Sequence, residues 1–166
     1  MLFGDRAGFA VEIYHEPSEP RWVGFGRMCL HIKGHPVGRL DERHCSLFDA
    51  VERIYEFAQR PRPTWDKRLK GHSDEEIFAW LDAALYEGAV ADGPDELGQF
   101  EFLTNAGEQF DEWRTFIYST PEREVHILCR RGEEMPFFGT CSEEAFRAVA
   151  TQLMAWFNAH AKKTQH

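Results

Sequence analysis

Residues 9–14, Phe9-Ala10-Val11-Glu12-Ile13-Tyr14, decide how the chain is read. Phe9, Val11 and Ile13 alternate with Ala10, Glu12 and Tyr14, and a period of two belongs to a half-buried strand. Beyond a Glu16-Pro17-Ser18-Glu19-Pro20 loop, Trp22 to Ile32 reads as a second strand, with Met28, Leu30 and Ile32 on one face and Arg27, Cys29 and His31 on the other. Lys33-Gly34-His35-Pro36 is a turn, and Val37 to Leu40 returns as a short edge strand, where a proline without an amide hydrogen is tolerated.

The pattern then changes period. Leu47, Val51, Ile54, Tyr55 and Ala58 recur at three- and four-residue steps, the stripe of an amphipathic helix. Ser46-Leu47-Phe48-Asp49 reads as its capping box, and Arg60-Pro61-Arg62-Pro63 ends it. Ser73-Asp74-Glu75-Glu76 caps a second helix with the stripe Ile77, Phe78, Leu81, Ala84 and Leu85, closed by Gly88. Ala89 to Gly98 is a loop and Phe100 to Leu103 a short strand. Trp113–Ser119 and Glu124–Arg131 form a hairpin across Thr120-Pro121-Glu122-Arg123. Gly132 to Gly139 is a loop, and Thr140-Cys141-Ser142-Glu143 caps a last helix with the stripe Phe146, Val149, Ala150, Leu153, Trp156 and Phe157. The expected fold is α+β: one domain over residues 1–166, a mostly antiparallel sheet of about five to six strands packed with about three helices.

Composition narrows function by exclusion. With 19 basic and 28 acidic residues the net charge is −9, which argues against a nucleic-acid binder, since phosphate contacts need clustered Lys and Arg. No apolar run is long enough for a membrane span, and Met1-Leu2-Phe3-Gly4-Asp5-Arg6 is not a secretory signal. Cys29, Cys45, Cys129 and Cys141 form no paired motif and read as reduced thiols in a cytosol. His31, His35, His44 and Cys45 lack zinc-ligand spacing, so neither a metal nor another cofactor is expected. No nucleophile elbow, dinucleotide loop or phosphate loop occurs, and no catalytic residue is assigned. Trp22, Trp65 and Trp113 are left open between core and exposed anchor.

Charge layout is more informative. Residues 72–112 hold no Lys or Arg but 12 of the 28 acidic residues. A docking face for a basic partner is one reading, with Asp92, Asp95, Glu96, Glu101, Asp111 and Glu112 as its candidate residues. A solvated surface is the other, with Asp74, Glu75 and Glu76 complementing a helix dipole.

The order Phe3-Gly4-Asp5, Phe9-Ala10-x-Glu12, Trp22-x-Gly24-x-Gly26-x-Met28-Cys29-Leu30-x-Ile32-x-Gly34-x-x-Val37-Gly38, then Ser46-Leu47-x-Asp49, resembles a family of immunity proteins from bacterial polymorphic-toxin and contact-dependent growth inhibition systems. The resemblance implies a cytoplasmic protein that is not an enzyme and binds the C-terminal domain of a cognate toxin. Many such toxins are nucleases with basic grooves, which an acidic inhibitor would cover. Phe3, Gly4, Asp5, Trp22, Gly34 and Gly38 match signature positions, with structural roles expected: turns at Gly34 and Gly38, a cap at Asp5. A monomer or weak dimer is expected. The alternative is a small hydrolase or ligand-binding domain with a pocket lined by Cys29, His31 or His126.

Overall fold

The computed structural model describes residues 1–16, 24–88 and 94–162. Strands β1 (Leu2–Gly4), β2 (Phe9–His15), β3 (Phe25–Ile32) and β4 (His35–Val37) pair in that order, all antiparallel, and β5 (Cys45–Ser46) pairs with the start of β3. Helix α1 (Phe48–Gln59) follows, then α2 (Asp74–Tyr86) and the one-turn α3 (Pro94–Leu97). A second antiparallel sheet runs β6 (Trp113–Ser119), β7 (Glu124–Arg131) and β8 (Phe137–Ser142), and α4 (Glu143–Lys162) ends the described chain. The α+β class holds. The strands divide between two sheets because β6–β8 form their own ladder, buried on both sides.

The alternations at residues 9–14 and 28–32 set the first sheet. Val11, Ile13, Met28, Leu30 and Ile32 are fully buried or nearly so. They share a core with Val51, Ile54 and Phe57 of α1, Ile117, Val125, Ile127 and Cys129 of the second sheet, and Phe146, Ala150 and Leu153 of α4. The opposite face of the second sheet presents Phe116, Tyr118 and Leu128 to Ile77, Phe78 and Leu81 of α2. Where β8 lies against the first sheet, Gly139 removes the obstacle: an added Cβ would collide with Ile32 Cγ2.

Several local expectations are corrected. The second strand begins at Phe25, after Gly24 at φ +86°, and Trp22 lies outside the described residues. The edge strand is His35–Val37, reached through a tight turn at Lys33 and Gly34, both at positive φ. Ser46 is in β5, and Leu47 at the N-cap of α1 makes no side-chain cap bond, so no capping box forms there. Residues 98–100 form a 3₁₀ turn, leaving only an isolated bridge from Glu101 to Phe116 where a strand was expected. Phe137–Ser142, expected as loop and cap, is the strand β8; Ser142 then caps α4 by accepting from the Ala145 amide at 3.1 Å. The capping box of α2 is present in both directions, and Gly88 follows that helix at φ +66°. Among the described residues no helix is long and apolar enough to cross a membrane.

Candidate functional site

Folding engages part of the acidic segment within the domain. Asp74, at the start of α2, accepts from the Tyr118 hydroxyl at 2.6 Å and lies 3.0 Å from His126 Nδ1. Burial opposes ionisation there, but those two hydrogen bonds outweigh it and hold Asp74 below the usual carboxylate range. Glu76 closes the capping box. Asp82, 5% exposed, lies between Arg130 Nη2 at 2.7 Å and Arg114 Nε at 3.2 Å. These carboxylates are spent within the protein.

The six candidate docking residues separate in the same way. Asp92 lies outside the described residues, and Asp95 is on α3 with its side chain undescribed. Glu96 is exposed and 3.7 Å from Arg68 Nη2. Glu101 is half-buried; after burial itself, its charge is the next cause raising the Tyr86 hydroxyl. Asp111 and Glu112 are exposed on the turn before β6, and Glu112 pairs with Arg131 at 2.7 Å.

Among the described candidates, Asp111 and Glu112 line a concave surface. They line an open groove of about 860 Å³ with Arg114, Arg130 and the loop residues Glu133 and Glu134. Trp113, Arg131, Glu112 and Glu134 separate it from a second groove of about 1010 Å³, whose walls include His35, Asp41, Phe137 and the strand residues Glu12, Cys29 and His31. The groove arginines are engaged: Arg39 with Asp41 and Glu42, Arg131 with Glu112, Arg114 and Arg130 with Asp82. Glu133, Glu134 and Met135 are exposed on the β7–β8 loop, Met135 at 79%. Glu133, Glu134 and Met135 stand outside the six candidate docking residues, and their sequence signal is two adjacent carboxylates beside a methionine in an expected loop.

The described signature residues, Phe3, Gly4, Asp5, Gly34 and Gly38, sit at the edge of the first sheet and in its turns. Phe3 packs against the core and meets Trp156 edge-on at 6.3 Å. Gly4 ends β1. Asp5 accepts from the Ala7 amide at 3.0 Å through its side chain and from the Gly8 amide at 3.0 Å through its carbonyl, fixing the β1–β2 turn. Gly34 makes the β3–β4 turn, and Gly38, also at positive φ, passes close to the Phe110 ring. Trp113 is buried, and Trp65 is half-buried against Tyr118.

Cys29 and His31 come together, and a residue from the neighbouring strand joins them. Glu12 stands directly across from Cys29 in the β2–β3 register. His31 Nε2 is 2.8 Å from Glu12 Oε2 and 3.6 Å from Cys29 Sγ. Burial works against the Glu12 charge, but hydrogen bonds from His31, Tyr14 and Arg6 bring it down to about 2. Burial, reinforced by the Glu12 charge, pushes the Cys29 thiol up to about 12, so it is not a ready thiolate nucleophile. His126 is elsewhere, stacked on Tyr118 and held by Asp74 and Glu124. Of the pocket candidates, Cys29 and His31 share a groove and His126 does not belong to it.

Fold and site together define a class: a small two-sheet α+β domain whose polar side chains face open grooves. The family model for Immunity protein 42 matches residues 1–156, and the chain belongs to that family. A crystal structure of CdiI from Burkholderia dolosa has the same fold, with a TM-score of 0.68 over 94% of this chain and 99% of that one, at 15% identity. No curated protein matches the sequence.

Proposed function

We propose that this chain is a cytoplasmic immunity protein that binds the C-terminal domain of a cognate toxin and neutralises it by association, without catalysis. The family match across residues 1–156 carries this reading. The partner is a protein with a basic surface, such as a nuclease whose groove would otherwise hold phosphates. The contact face is the rim around Asp111, Glu112, Glu133 and Glu134, because the neighbouring arginines are already paired within the domain. Met135, exposed among these acids, supplies a flexible apolar contact of the kind that anchors interfaces.

The test is complex formation between the purified chain and a candidate cognate toxin domain. A one-to-one complex is expected, associating more slowly as salt rises, because exposed charges are screened over about 8 Å at physiological ionic strength. The double substitution Glu133→Lys and Glu134→Lys should weaken it at least about tenfold, around 1.4 kcal/mol. No complex with the wild-type chain refutes the function; an unchanged dissociation constant in the folded double variant refutes the surface.

A further inference from the structure

The grouping of Glu12, Cys29 and His31 on one face of β2 and β3 is not needed by the proposed acidic contact rim, and its chemistry differs from that of the rim. Its three donors are a carboxylate oxygen, a sulfur and an imidazole nitrogen, all within 4.8 Å of one another. We propose that this triad is a binding site for one borderline-soft divalent transition-metal ion, Zn²⁺ being the biological candidate, with a fourth position open to the adjoining groove.

Geometry supports the assignment. Zinc binds sulfur at about 2.3 Å and imidazole nitrogen at about 2.0–2.1 Å, and a tetrahedral angle between such bonds places the two donors about 3.6 Å apart. Cys29 Sγ and His31 Nε2 are 3.6 Å apart. Glu12 Oε2, now 2.8 Å from Nε2, has to open that separation by about half an ångström to take its own position on the ion, and the three donors already lie within 4.8 Å of one another. Strand pairing explains the approach: Cys29 and His31 are two residues apart and so share a face, and Glu12 is Cys29's cross-strand partner. All three residues line the larger groove, which supplies a path for the ion and room for water at the fourth position. A set of one thiolate, one imidazole and one carboxylate selects Zn²⁺ or Co²⁺ over Mg²⁺ and Ca²⁺, which require all-oxygen shells.

Binding balances in charge and protons. Cys29 releases its thiol proton to solvent as the metal–sulfur bond forms, and the His31 hydrogen moves to Nδ1 so that Nε2 offers its lone pair. A thiolate and a carboxylate then neutralise the divalent ion. Arg6, which now donates to Glu12 Oε2 at 2.8 Å, is the displaced competitor; its side chain is 54% exposed and can turn into solvent.

The experiment is a Co²⁺ titration of the full chain in a non-chelating buffer with a phosphine reductant, followed by absorbance. One equivalent should give a thiolate-to-cobalt charge-transfer band in the near ultraviolet and the visible bands of tetrahedral cobalt, and Zn²⁺ but not Mg²⁺ should bleach them. Cys29→Ser should abolish the charge-transfer band and His31→Gln weaken binding at least about tenfold, while Cys141→Ser leaves both unchanged. Arg6→Gln should tighten binding by removing the competing cation. Circular dichroism checks the fold of each variant, and if one of the Cys29 and His31 variants does not fold the other carries the assignment. Absence of a one-to-one band in the wild-type chain, its persistence in Cys29→Ser, or its loss in Cys141→Ser overturns the proposal. None of these outcomes bears on toxin binding.

Discussion

Asp82→Asn tests how the acidic segment is used. Asp82 belongs to the basic-free stretch 72–112, yet its side chain is only 8% exposed and faces two arginines. Arg130 Nη2 donates to Oδ2 at 2.7 Å; Arg114 Nε lies 3.2 Å from Oδ1, an ion pair in which Oδ1 accepts no hydrogen bond. Each guanidinium also covers a ring, Arg114 on Tyr86 at 3.4 Å and Arg130 on Phe78 at 5.2 Å, so the carboxylate ties α2 to β6 and β7 through its charge. Removing one member of a buried ion pair costs about 3–5 kcal/mol, because the partner is left buried and uncompensated. Here the arginines keep 32% and 26% of their side chains exposed, and water meets part of the loss. A cost of about 2–3 kcal/mol follows. At about 2–4 °C per kcal/mol for a domain of this size, Tm should fall by roughly 5–10 °C. The assay is equilibrium urea unfolding followed by tryptophan fluorescence, with a thermal melt alongside. Glu112→Gln, whose pair with Arg131 is half exposed on both sides, serves as control and should barely change the midpoint. A variant within about 0.5 kcal/mol of wild type would refute the structural role of Asp82 and return it to the pool of solvated charges.

Gly139→Ala should cost about 1–3 kcal/mol in the same unfolding assay, because the new methyl meets Ile32 where the two sheets touch; an unchanged midpoint would contradict that packing. His126 carries a linked pH effect: burial lowers its pKa, but Asp74 and then Glu124 more than reverse this, so its folded value lies above the ordinary one of about 6.5. The stabilisation is fully present below about pH 6.5 and is lost as pH rises through the folded value, so the stability gap between wild type and His126→Gln should shrink towards alkaline pH. A gap independent of pH between 6 and 9 would remove His126–Asp74 as its source.

Local order was legible where a segment's own residues decide its state. The β6–β7 hairpin is readable because period-two arms flank a turn, and α2 because a two-way capping box precedes an apolar stripe. β8 escaped because Phe137-Phe138-Gly139-Thr140-Cys141-Ser142 shows no clean alternation: its pairing with β7, and the need for Gly139 opposite Ile32, are set by residues far away in sequence. β1 has only three residues, too few to show a period. The site was less legible for the same reason. Spacing along one strand shows Cys29 and His31, but not Glu12, which arrives by cross-strand register. Counting carboxylates in residues 72–112 could not show that Asp74, Asp82 and Glu112 meet His126, Arg130 and Arg131 from the second sheet.

Growth of a bacterium expressing a candidate cognate toxin domain, with and without the chain, tests the central claim most directly. Co-expression should restore growth, and the folded Glu133→Lys, Glu134→Lys double variant should protect measurably less. Arrest that persists with the folded wild-type chain present at equal or greater abundance than the toxin would contradict the immunity function.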